Sequence, residues 1–166
     1  MKEFIIDNSP LEIETLYKIV DKQLVLKLST ESLNNVKDCR GYLDKKTNNS
    51  DIPLYGINTG FGSLYNVSIK DNDLSKLQHN LILSHCCGVG DKVPLKIVKI
   101  ILLLKIITLS KGNSGIHIDT LNRLIFFYNK SIFPVIFKHG SLGASGDLSP
   151  LAHLSLPLIG EGQVYY

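Results

Sequence analysis

The sequence predicts a mainly α-helical fold with minor β structure, on three observations. Long stretches repeat apolar residues at helical spacing between start and stop signals. Only Gln23 to Leu28 alternates polar and apolar residues in the manner of a strand. And 166 residues at 44% hydrophobic and 20% charged match a folded domain rather than a disordered, collagen-like or disulfide-stapled chain. The net charge is +3, from 18 basic and 15 acidic residues. These charges are interspersed, so there is no electrostatic footprint for nucleic acid or an anionic membrane surface.

The elements follow in order. Ser9-Pro10-Leu11-Glu12 has the form of a capping box with proline at the first helical position, which predicts a helix from about Pro10 to Val20. The strand Gln23 to Leu28 comes next, and Ser29 or Thr30 caps a second helix running toward Leu43. Asp44 to Asp51 is polar and rich in turn formers, and reads as a surface loop. Pro53 to Asn66 has three glycines and no helical period. A third helix starts after Asp71 or Asp73 and runs to about Cys87, where Gly88 and Gly90 end it. Pro94 to Ser110 forms a fourth helix, stopped by Gly112, and Asp119 or Thr120 caps a fifth that ends near Lys130. A glycine-rich turn, His139 to Gly146, leads to a short helix from Asp147 to Ile159, with the Asp147 carboxylate at its positive end.

Cys39, Cys86 and Cys87 fit neither a zinc spacing nor a disulfide framework, which points to a reducing intracellular setting, the cytoplasm. The acidic start MKEFIIDNSPLEIE lacks the form of a signal peptide. Val93 to Leu109 is the most apolar segment, but Lys96, Lys99 and Lys105 interrupt it, so it reads as a buried helix with snorkelling lysines rather than a membrane span. His79 and His153 have no partner at metal-binding spacing, so no metal is expected, and His153 reads as a supporting or structural residue.

Two segments carry more glycine than the folding pattern needs: Tyr55-Gly56-Ile57-Asn58-Thr59-Gly60-Phe61-Gly62, and Gly140-Ser141-Leu142-Gly143-Ala144-Ser145-Gly146-Asp147-Leu148-Ser149-Pro150-Leu151. By glycine count alone each is a loop in which glycine supplies positive φ or close approach. A phosphate site does not fit, because the Walker lysine and the dinucleotide glycine spacing are both missing. The residue order from Gly140 to His153, however, closely resembles the signature of the aromatic amino acid ammonia-lyases. In that family Ala-Ser-Gly cyclises into 3,5-dihydro-5-methylidene-4H-imidazol-4-one (MIO). Gly146 lacks a Cβ, so its nitrogen can approach the Ala144 carbonyl carbon, and Ser145 can lose its hydroxyl to become a methylene. The product is an electrophile, which no ordinary side chain is, and no external cofactor is then required.

The resemblance extends from the Tyr55 segment through Asn80 to Gly90 and on to Gly160-Glu161-Gly162. It implies the active-site-bearing N-terminal part of a fumarase/aspartase-like helical lyase fold, with residues 1–166 as one truncated N-terminal domain lacking the central helix bundle. It implies catalytic roles for Tyr55, Ala144, Ser145 and Gly146. Tyr55 matches the tyrosine that removes the substrate's β-proton; a free tyrosine titrates near 10, so this duty requires positive charge or hydrogen-bond donors nearby. Gly56, Asn58, Thr59, Gly60, Phe61 and Gly62 would form the supporting loop, whose glycines suit a mobile lid, with Gly143 and Asp147 supporting the tripeptide.

Ser84-His85 is the informative pair for substrate. Phe-Leu or His-Leu marks relatives acting on phenylalanine or tyrosine, whereas Ser-His resembles the histidine-specific branch, and an imidazole substrate needs a polar partner such as His85. The expected activity is therefore deamination of L-histidine to trans-urocanate, in a homotetramer once full length. The alternatives are a truncated, catalytically silent relative that associates with other chains, and a phenylalanine or tyrosine lyase or aminomutase. Cys86 and Cys87 read as small hydrophobes. Three departures from the family pattern are Asn113 where tyrosine is usual, His117 where arginine is usual and Phe137 where proline is usual, and they bear on local packing and subunit contacts.

Overall fold

The computed structural model describes residues 2–48 and 52–166. Strand β1 (Glu3–Ile6), helix α1 (Ile13–Asp21), strand β2 (Val25–Leu28) and helix α2 (Thr30–Asn48) come first. Helix α3 (Leu74–His85), strand β3 (Val89–Lys92), helix α4 (Leu95–Ser110) and helix α5 (Ile118–Asn129) follow. Strands β4 (Phe133–Pro134) and β5 (Phe137–His139), helix α6 (Leu148–Ser155) and strand β6 (Val164–Tyr165) end the order. The architecture is mainly helical with minor β structure, as the sequence predicts.

The strands form three two-stranded sheets. β1 and β2 are parallel, with Glu3 opposite Val25 and Ile6 opposite Leu28. β3 and β5 are antiparallel, with Val89 opposite His139 and Lys92 opposite Phe137 across an irregular register, and β4 pairs antiparallel with β6. The core gathers around α4, whose Val98, Leu102, Leu103 and Ile106 are fully buried. Ile6 and Leu26 from the first sheet, Ile19 of α1, Val36 of α2, Leu121 of α5 and Leu154 of α6 close over them. The lysines of α4 reach outward as the sequence predicts: Lys96 pairs with Asp21 at 2.9 Å, and Lys99 lies over the Phe133 ring. Among the described residues no helix is long and apolar enough to cross a membrane.

Several expectations need correction. α1 starts at Ile13 rather than Pro10, because the Asp7 carboxylate captures the Ser9 N–H at 2.9 Å; the Ser9–Glu12 capping box does not form, and Glu12 caps without a side-chain bond. α2 continues through Lys45 and Thr47 instead of ending at Leu43, supported by an Arg40–Asp44 ion pair one turn apart at 2.7 Å and by Thr47 donating to Leu43 O. Of the loop expected at Asp44 to Asp51, residues 49–51 lie outside the described residues. At the start of α2, Ser29 Oγ accepts from Ser32 N–H as a cap should. α3 stops at His85 rather than Cys87. α5 is capped by His117 rather than Asp119 or Thr120, with the His117 ring accepting from Asp119 N–H, and so begins at Ile118, at least two residues early. The helix expected from Asp147 to Ile159 is α6 followed by a 3-10 turn over Leu156–Ile159, since Pro157 brings no N–H to an α-helical ladder.

The burial pattern makes a direct prediction. Leu102→Ala should cost about 2–5 kcal/mol in denaturant unfolding, whereas Leu104→Ala, on the exposed face of the same helix, should cost about 0.5 kcal/mol or less. Equal costs would contradict the assignment of the two faces.

Candidate active site

The site is framed by a short ribbon and one buried histidine. α3 ends at His85, Cys86 closes it by donating its N–H to Leu83 O, and the chain passes through Cys87 and Gly88 into β3. β3 pairs with β5, and β5 runs directly into the turn that carries Ala144-Ser145-Gly146. On the far side of that turn α6 begins, and its His153 reaches back so that Nε2 accepts the Gly88 N–H at 3.0 Å. A side chain at Gly88 would place a Cβ 2.8 Å from that nitrogen, so only glycine allows the contact. Gly140, at φ 114, lies against Cys87 O, where a Cβ would stand 2.8 Å away. The end of the Ser84-His85 helix and both flanks of the tripeptide are thus tied together.

The tripeptide itself forms a 3-10 turn over Gly143–Ser145. Ser145 N–H and Ser145 Oγ both donate to Leu142 O, at 2.9 and 2.7 Å, and Gly146 N–H donates to Gly143 O at 3.0 Å. Gly146 sits in the left-handed region at φ 86, and so does Asp147 at φ 56. Asp147 occupies the α6 N-cap position, as the sequence places it, but its carboxylate accepts from Ser141 Oγ at 3.0 Å instead of capping the helix.

The Tyr55 loop is held by its own polar side chains. Buried Asn58 accepts from Leu54 N–H at 2.6 Å and donates to Ile52 O, and buried Thr59 accepts from Gly56 N–H and donates to Gly60 O. Gln78 of α3 anchors the loop from outside by donating to both Gly56 O and Ile57 O. Tyr55 is 62% exposed, and its hydroxyl oxygen accepts from Gly62 N–H at 3.3 Å. Its ring lies 5.7 Å from Phe61, which in turn meets His85 edge-on at 5.2 Å. His85 Nδ1 lies 2.7 Å from Leu81 O. A carbonyl only accepts, so Nδ1 carries the proton and Nε2 is the free acceptor.

Phe61 from this loop, His85 from α3 and Leu148 from the start of α6 line one cavity of about 180 Å³. Of the residues expected from sequence, the structure brings Phe61 and His85 to this cavity and joins Tyr55 to it through the Phe61 ring. Ser84 is exposed, and its hydroxyl stays on the helix, 3.2 Å from Leu81 O and 3.1 Å from His85 Nδ1. Ala144, Ser145 and Gly146 are exposed and adjoin the cavity only through Leu148.

Comparison with known proteins matches the aromatic amino acid lyase family model over residues 11–166. The chain belongs to the aromatic amino acid lyase family. A histidine ammonia-lyase from Myxococcus xanthus is 44% identical over 98% of this chain and 32% of its own length. The structure of a tyrosine aminomutase from Streptomyces globisporus superposes with a TM-score of 0.90 at 30% identity, over 99% of this chain and 30% of that one. A histidine ammonia-lyase from Trypanosoma cruzi gives 0.83 at 34% identity, over 96% and 31%. The chain therefore spans about a third of the length of the curated relatives it matches.

One contributor escaped the sequence reading. Gln78 is a lone polar residue on a helix, with no local sign that it binds a loop some 20 residues earlier. Phe137, expected from sequence to bear on local packing, packs edge-on against His153 at 5.2 Å, so the aromatic ring helps to bury that histidine. His153 is buried, and burial pushes its pKa below the usual value. Its role as acceptor requires the neutral form. An unfolded histidine takes up a proton near pH 6.5, and the folded one only at lower pH, so stability is lost as pH falls below about 6.5. The thermal midpoint should fall between about pH 7 and about pH 5, and His153→Gln, which keeps an acceptor and cannot titrate, should flatten that fall. An unchanged pH profile in the variant would contradict the assignment.

Proposed function

We propose that this chain is the N-terminal part of a lyase that eliminates ammonia from L-histidine to give trans-urocanate. The observation that carries the reading is the shared cavity, where the Tyr55 loop, the Ser84-His85 helix end and the helix following the tripeptide meet. Histidine is favoured as substrate because relatives at 42–44% identity are named histidine ammonia-lyases, whereas the solved aminomutase stands at 30%.

The tripeptide fits conversion to MIO. Gly146 already holds the positive φ that suits a tight turn, and its Cβ position is open apart from its chain neighbours. Cyclisation joins the Gly146 nitrogen to the Ala144 carbonyl carbon and releases two waters, one with the Ala144 oxygen and one with the Ser145 hydroxyl. Once formed, the group supplies the electrophile that ammonia elimination needs. Tyr55 takes the β-proton of the substrate, and the Gly62 N–H is a donor on the oxygen that receives it. His85 holds the substrate imidazole: with Nδ1 committed to Leu81 O, Nε2 accepts from the imidazole N–H. Ser84 positions the His85 ring from its Nδ1 side. Gly56, Asn58, Thr59, Gly60 and Phe61 shape the loop that carries Tyr55, and Gly143 and Asp147 bound the turn.

Residues 1–166 act in this reading as one N-terminal domain of a longer cytoplasmic chain that assembles as a homotetramer. Free thiols at Cys39, Cys86 and Cys87 support a reducing compartment, and exposed Ile97 and Leu104 on α4 support burial against further protein.

The exposure of Tyr55 and of the tripeptide favours a second reading for the 166-residue chain by itself, which is silence, because the reacting groups are open to water. Intact-mass measurement on the full-length protein should show the loss of two waters, and Ser145→Ala should abolish both that loss and urocanate formation. Retained urocanate formation in the variant, or tyrosine consumed in preference to histidine, would overturn the main reading. Turnover of histidine by the isolated 166 residues would overturn the second.

A further inference from the structure

A cavity of about 340 Å³ lies away from the candidate active site, between the C-terminal ends of α1 and α5 and walled by β2, β4 and Lys99 of α4. None of its lining residues belongs to the Tyr55 loop, the Ser84-His85 pair or the tripeptide turn. Lys22 and Lys99 line it, and no Asp or Glu does. The adjacent acid, Asp21, is held by Lys96 at 2.9 Å, and neither Lys22 nor Lys99 makes an ion pair among the described residues.

The two helix ends at this cavity are built alike. Leu24 N–H closes α1 on Ile19 O, and Ile132 N–H closes α5 on Phe127 O. This closure places the preceding residue in the left-handed region, where glycine is the usual occupant. Here the residues are Gln23, at φ 48, and Ser131, at φ 57, and both line the cavity. They are two of the three non-glycine residues with positive φ among the described residues. Glycine would close the same turns without that backbone cost, so helix closure does not account for the polar side chains.

The charge of the site sets the ligand class. Each helix C-terminus contributes about half a negative charge, so two ammonium groups leave an excess of about one positive charge, which suits a monoanion better than a dianion. Burial pushes the Tyr128 hydroxyl up to about 12, so it stays a protonated donor. The Asn129 amide is spent on the N–H and C=O of Leu26. Leu24 and Phe133 give the cavity an apolar wall, with Lys99 Nζ 5.1 Å from the Phe133 ring centroid.

We propose that this cavity binds a small aromatic monocarboxylate, with the carboxylate held between Lys22 and Lys99 and the ring against Leu24 and Phe133. Gln23 and Ser131 supply rim donors, which is why side chains stand where glycine would serve. The site is independent of the proposed lyase reaction. Benzoate is the probe, on the full chain, with amine acylation of individual lysines followed by mass spectrometry. Benzoate should slow acylation of Lys22 and Lys99 but not of exposed Lys37 on α2. In calorimetric titration, a double variant Lys22→Met/Lys99→Met should bind benzoate about tenfold more weakly or worse. Unchanged benzoate affinity in the double variant, no protection of the two lysines, or equal protection by inorganic phosphate would each overturn the proposal.

Discussion

The Gly88 N–H donated to His153 Nε2 is the contact on which the arrangement of the candidate site depends. It lies three residues after His85, immediately before the strand that pairs with β5, and it is made by a residue of the helix that begins just after the tripeptide. One hydrogen bond of this kind contributes only about 0.5–1.5 kcal/mol net. Its importance is positional: it fixes the distance between two chain segments 65 residues apart in sequence. The requirements it imposes are visible around it. Gly88 must lack a side chain, Phe137 covers the imidazole, and Gly140 lets the chain leaving β5 pass close to Cys87.

That local arrangement rests on a core it does not itself build. α4 is buried along one face by α1, α2, α5 and the first sheet, and it leads directly from β3. The ribbon of β3 and β5 is thereby held on a rigid support, since Val93, at the end of β3, also donates its N–H to Ile136 O beside β5. Rigid elements placing catalytic groups on exposed turns are a general solution, because the turns alone would not hold geometry. The Tyr55 loop is the part with least help from the core, and it compensates with an internal network centred on Asn58 and Thr59 and with Gln78 from α3.

Legibility in the sequence followed the range of the interactions. α4 and α5 were readable because their periodic apolar residues, and for α4 the glycine stop at Gly112, act within one element. β1 was not, because its partner strand lies 22 residues later and four residues carry too short a pattern to announce a pairing. The capping box at Ser9 misled because Asp7, two residues earlier, competes for the same amide. Asp44 to Thr47 misled because polarity alone does not end a helix that side-chain pairs support. At the site, the glycine-rich segments and Ser84-His85 stood out through family resemblance. The positive φ of Gly146 agrees with the glycine reading. The Gly88–His153 contact could not be read: His153 is one histidine on a short helix, and Gly88 looks like a helix stop.

The role of the Gly88–His153 hydrogen bond is read directly by amide hydrogen exchange at Gly88, compared between the native chain and His153→Ala. The Gly88 amide should be protected in the native protein and exchange fast in the variant, while the amide of core residue Leu103 stays protected in both. Equal exchange at Gly88 with and without the imidazole would contradict the claim that His153 holds the two flanks of the tripeptide together.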